Sequence, residues 1–66
     1  MRSSTVELPE LLTAAQAAEY IGVSVDTLAQ DRYLGRGLPY VRVGRRIRYR
    51  ASDIAAFLEA NVVKVD

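Results

Sequence analysis

"TAAQAAEYIGVSVDTLAQDRYLG", residues 13–35, is the stretch on which the fold turns. Thr13 is a good N-cap, and Gln16 three residues on completes a capping-box pattern. Leu12 and Ala17 stand where a hydrophobic staple would close the helix entry. Ala14, Ala17, Ala18 and Ile21 recur at helical spacing as one apolar stripe, and Gly22 suits a left-handed stop. Only Val23 separates that glycine from Ser24, which can cap a second helix running to about Leu34. Val25, Leu28 and Arg32 mark its turns, and Gly35 ends it. Two short helices joined by Gly-Val-Ser make the pattern of a helix-turn-helix, with small side chains letting the second helix cross close to the first. The same pattern also fits an αα-corner in any helical protein. The flanking residues have to choose.

Downstream, "GRGLP" reads as a loop, with Pro39 pushing Leu38 into an extended conformation. Then comes "YVRVGRRIRYR", residues 40–50, where arginines alternate with Val41, Val43, Ile47 and Tyr49 around Gly44. This spacing predicts a β-hairpin. If both apolar sets share one face, Val43 opposes Ile47 and Val41 opposes Tyr49, which requires a three-residue loop, Gly44-Arg45-Arg46. Arg42 would then face Arg48 and Tyr40 would face Arg50. Glycine first is not what the commonest three-residue turn wants. Residues 32–50 hold seven of the nine basic residues and no Asp or Glu, in a chain whose formal net charge is only +1. Like charges opposed across a strand pair destabilise it. A charged outer face for solubility is the plain alternative, but such a face normally mixes signs. A polyanion that supplies the missing negative charge accounts better for the pattern.

Ser52 is expected to cap a third helix, with Asp53 in its first turn, Ile54, Phe57 and Leu58 as its apolar stripe and Asn61 as its stop. The expected fold is α+β, mostly α: a small winged helix-turn-helix with three helices and a two-stranded β-hairpin wing. Residues 1–10 read as a loose arm, 11–60 as the domain and 61–66 as a tail. With 66 residues the chain makes one small domain, near the lower limit for folding without staples. It has no cysteine and no histidine, which removes disulfides, thiolate metal sites and the commonest general base. No glycine-rich phosphate loop or metal-ligand spacing surrounds its carboxylates. An enzyme is therefore not expected, nor is a cofactor, a metal or a small-molecule substrate. No apolar run is long enough to span a membrane, and the expected compartment is the cytoplasm.

"LLTAAQAAEYIGVSVDTL" followed by "GRGLPYVRVGRRIRYRASDIAAFL" resembles the excisionase-like helix-turn-helix family, related in fold to MerR-type winged helices. The resemblance covers about residues 11–58; its most specific parts are the "GVS..TL" turn, the "G.GLP" loop, the "VRVGRRIRYR" wing and the "SDI..FL" helix. Members include phage excisionases (recombination directionality factors), AlpA-type prophage regulators and short bacterial transcription factors. The resemblance implies a recognition helix in the major groove, here Ser24 to Leu34, and a wing against the neighbouring minor groove or backbone. Val25, Asp26, Ala29, Gln30 and Tyr33 would lie on the exposed face of that helix. Family members often carry a tryptophan and basic residues where this chain has Ala29-Gln30-Asp31, which makes the helix a weak reader of bases. Gln30 is its best candidate for base contact.

The expected DNA-contacting set is Ser24, Val25, Asp26, Thr27, Ala29, Gln30, Arg32, Tyr33, Arg36, Arg42, Arg45, Arg46, Arg48 and Arg50. Arg32 and Tyr33 suit backbone contacts or packing, and Tyr49 suits the core. Weak base reading beside a dense arginine wing fits an architectural protein that binds and bends DNA. The expected partners are double-stranded DNA, further copies arranged head to tail on it, and an integrase directed toward excision. The setting would be the nucleoid of a bacterial host. A promoter-binding regulator on the same fold is the alternative, and a protein-interaction module docking its arginines on an acidic partner is a third reading.

Overall fold

A computed structural model describes residues 10–65. The expected arm therefore lies outside the described residues, except for Glu10. The elements run β1 (Leu11–Thr13), α1 (Ala14–Ile21), α2 (Val25–Tyr33), β2 (Val41–Val43), β3 (Arg46–Arg50) and α3 (Ala51–Ala60). This is the expected small α+β winged helix-turn-helix with one addition: the hairpin gains a third strand. The antiparallel sheet has the order β1-β3-β2. In sequence Leu11–Thr13 reads only as the entry to a helix, since three residues are too few to show a strand period.

Local capping follows the residues. Thr13 accepts from the Gln16 N–H at 3.1 Å while the Gln16 side chain accepts from the Thr13 N–H at 2.9 Å, closing the capping box. Gly22 ends α1 at φ 92°, its N–H donating to the Ala18 carbonyl at 2.8 Å. Ser24 caps α2 through the Thr27 N–H at 3.0 Å. Ser52 does not cap α3. The helix begins two residues earlier, with Arg50 at the N-cap and no side-chain cap. The Ala51 N–H donates instead to the Glu10 carbonyl at 2.9 Å, so the chain segment leading into β1 does the capping. Asn61 stops α3 as expected, its side-chain amide donating to the Phe57 carbonyl at 2.8 Å.

The hairpin register differs from expectation by one residue. Val43 opposes Arg46, Arg42 opposes Ile47 and Val41 opposes Arg48, so the loop is the two-residue turn Gly44-Arg45. Gly44 has φ 62° and no other residue of the turn has positive φ, the requirement of a turn that wants glycine first. Because side chains alternate, this slip puts Val41 and Val43 on the same face as Arg46 and Arg48, and Val43 is 49% exposed. Arg42 shares the inner face with Ile47. On the other side of β3, Leu12 opposes Tyr49, Thr13 opposes Arg48 and Leu11 opposes Arg50. No two arginines stand directly opposite each other. The repulsion expected between Arg42 and Arg48 is not built into the sheet.

The core is Ala17, Ala18, Leu28, Leu38, Tyr49 and Ile54, with Leu12, Ala14, Ile21, Ile47 and Phe57 packed around it. Ala17 and Ala18 present no bulk, which is why Leu28 of α2 can be buried across them. Leu58, assigned to the apolar stripe of α3, is on its exposed side. The tail residues Val62, Val63 and Val65 are exposed and belong to no element. No helix among the described residues is long and apolar enough to cross a membrane.

Candidate nucleic-acid interface

Burying Leu28 turns one side of α2 inward and leaves Val25, Asp26, Gln30 and Tyr33 exposed, with Ala29 half-buried between them. These are the residues expected on the outer face, at spacings that share one side of a helix. Tyr33 stands out at 88% exposure. Ser24 and Thr27 are exposed at the N-terminus of α2, but their hydroxyls bond to each other at 2.9 Å as well as closing the cap. The face is polar, carries Asp26 in its first turn, and has Gln30 as its one amide.

The seven arginines separate into two groups. Arg36 pairs with Asp31 at 3.1 Å, and its own N–H bonds to the Asp31 carbonyl at 2.9 Å. Arg50 holds Asp53 through two bonds, 2.6 and 3.1 Å. The Asp53 hydrogen bond, and then its charge, raise the Arg50 pKa above the ordinary arginine value. Arg48 is half-buried and donates to the Ile47 carbonyl at 2.8 Å. Arg32 is half-buried, donates to the Tyr49 hydroxyl at 2.8 Å and lies 5.8 Å from the centre of the Tyr40 ring. Arg42, Arg45 and Arg46 form the second group. All three are exposed at the tip of the wing, and their side chains make no hydrogen bond or ion pair among the described residues.

Asp31, which in sequence only weakens the helix as a reader of bases, has a structural use that sequence reasoning missed. It holds Arg36, and a Cβ on Gly37 would come within 3.0 Å of its own Cβ. Tyr40 and the Tyr49 hydroxyl were also missed as partners of Arg32. The Arg50–Asp53 pair could have been found from its three-residue spacing alone.

A depression of about 330 Å³ joins the end of α2 to the start of the wing, lined by Arg32, Gly35, Arg36, Gly37, Leu38, Pro39 and Tyr40. A second groove, of about 310 Å³, lies between β1, α1 and α3 and contains none of the candidate DNA-contacting residues. The arginines thus follow the end of α2, the loop and the wing. Helix-turn-helix proteins dock such a second helix in the major groove.

No curated protein matches the chain. A family described as "Helix-turn-helix domain" matches residues 11–62, a span that takes in every element from β1 to α3. The chain belongs to that helix-turn-helix family.

Proposed function

We propose that this protein is a phage-type excisionase, a recombination directionality factor that binds and bends attachment-site DNA cooperatively and directs a partner integrase toward excision. One observation carries the reading: of the seven arginines between residues 32 and 50, the three whose side chains are unpaired among the described residues, Arg42, Arg45 and Arg46, gather at the wing tip, while the exposed face of α2 offers little for reading bases. Phosphate contacts then supply affinity, and the deformability of the site supplies much of the selectivity. A single module of this size covers too few base pairs to be selective alone, so neighbouring copies would fill a site head to tail, a contact that propagates and does not close. The role needs no catalytic group; Asp31 and Asp53 are already engaged by Arg36 and Arg50.

Titration of a long duplex and of a single-protomer duplex, read by gel shift and DNA compaction, tests the proposal. Cooperative filling of the long duplex with bending supports it. Independent filling of straight DNA would move the assignment to a small promoter-binding regulator. A protein-interaction module without a DNA role would show no binding even to random duplex at low salt.

A further inference from the structure

The recognition helix has few ties to the wing. α2 packs mainly on α1, while the sheet packs on α1 and α3, and direct contact between α2 and the sheet is sparse. Among the described residues a single hydrogen bond joins α2 to the sheet: Arg32 Nη1 to the Tyr49 hydroxyl, 2.8 Å, across 17 positions of sequence. The two ends of that bond differ in character. Tyr49 is 1% exposed and locked in the core on β3, the strand that runs out to the wing tip. Arg32 is in the last turn of α2, where its cation complements the helix dipole, and its guanidinium also faces the Tyr40 ring at 5.8 Å, just before β2 begins.

From this we infer that Arg32 is a positioning residue and not a phosphate contact: it braces the recognition helix against β3 and the entry to β2. The argument rests on the DNA-binding reading above. A helix in one groove and a wing on the adjacent backbone bind together only if their separation and angle are held before DNA arrives, because ordering them on binding subtracts from affinity. A charged donor to a buried hydroxyl is a directional link suited to that task. A guanidinium committed to the Tyr49 hydroxyl and the Tyr40 face also has fewer donors left for a phosphate, and the negative end of the α2 dipole disfavours one there.

The decisive variant is Tyr49→Phe, which removes no charge and alters an atom that DNA cannot reach. It is compared with Arg32→Met and the double variant, on random and selected duplexes, well below each melting temperature. If Arg32 acts as a brace, both single variants weaken DNA binding by about tenfold, and the double variant loses no more than either, since all three remove the same bond. In the free protein, 15N relaxation at Val43, Gly44 and Arg46 should show added wing motion in both. If Arg32 instead contacts phosphate, Tyr49→Phe binds like wild type, and Arg32→Met alone loses affinity with a salt slope shallower by about 0.9. That outcome overturns the inference. So does a lower melting temperature with unchanged affinity of the folded molecule, which would mark the bond as stabilising only. Should Tyr49→Phe fail to melt cooperatively, Arg32→Met decides by slope and relaxation: an unchanged slope with a mobile wing supports the brace, and a shallower slope with a quiet wing refutes it. If wild type does not bind duplex DNA at all, the functional reading fails, while the relaxation comparison still tests the brace.

Discussion

At Gly37 the backbone has φ 87°, and a Cβ there would lie 3.0 Å from the Cβ of Asp31. Gly22 has a similar φ, 92°, but open space around it. Placing an L side chain in the left-handed region costs about 1–2 kcal/mol at either site. At Gly37 the clash adds to that, and Asp31 cannot retreat without disturbing its bond to Arg36. Gly37→Ala should therefore destabilise the protein more than Gly22→Ala in urea titrations. Equal losses would show that Asp31 moves aside freely. The same two residues show how much a single position reveals in sequence. A glycine after an apolar helical stripe announces a helix stop, and Gly22 is one. Nothing near Gly37 in sequence announces that the side chain of Asp31 will press on it.

Among the elements, α2 and the wing should answer differently to substitution. Arg45 lies in the turn and Arg46 at the first position of β3, both exposed and away from the core. Replacing both with Ala should weaken binding to every duplex alike and leave thermal melting nearly unchanged, as expected for backbone contacts. Gln30→Ala on α2 should act selectively, costing about 1–3 kcal/mol on a preferred site if the amide pairs with an adenine, and little on random DNA. Equal losses for Gln30→Ala on both duplexes would take it out of base reading. Both helices of the helix-turn-helix were legible because their caps and apolar stripes are local. The wing was legible as a hairpin from its alternation, but its register was not. Alternation favours the register that puts Val41, Val43, Ile47 and Tyr49 on one face, but the two-residue turn at Gly44 sets the register one residue away and divides them between the faces.

For the whole molecule, charge is the property that DNA binding integrates. Counting sequence alone offers seven arginines between residues 32 and 50. In the folded protein Arg32, Arg36, Arg48 and Arg50 are engaged internally, which leaves Arg42, Arg45 and Arg46. At about −0.9 per phosphate contact, log affinity against log salt should then fall with a slope near about −3 per protomer. Measuring binding from low to moderate salt checks this. A slope of about −5 or steeper would mean that the internal ion pairs open on DNA and release their arginines to phosphates.

The succession of two helices, hairpin and third helix, the caps at Thr13 and Ser24, the stop at Gly22 and the gathering of arginines after residue 32 are all determined by sequence alone, because each depends on neighbours within a few positions. Tertiary structure decided what those charges face. Leu11–Thr13 becomes a strand only because β3 offers it an edge, and the first N–H of α3 finds a partner only because Glu10 is brought to Ala51. Arg32 finds a buried hydroxyl 17 residues away instead of solvent. An arginine carries the same charge in any sequence. Whether it is available to a phosphate depends on which carboxylate, carbonyl or ring the fold brings within about 3 Å of it, and that partner is set by packing between elements distant in the chain.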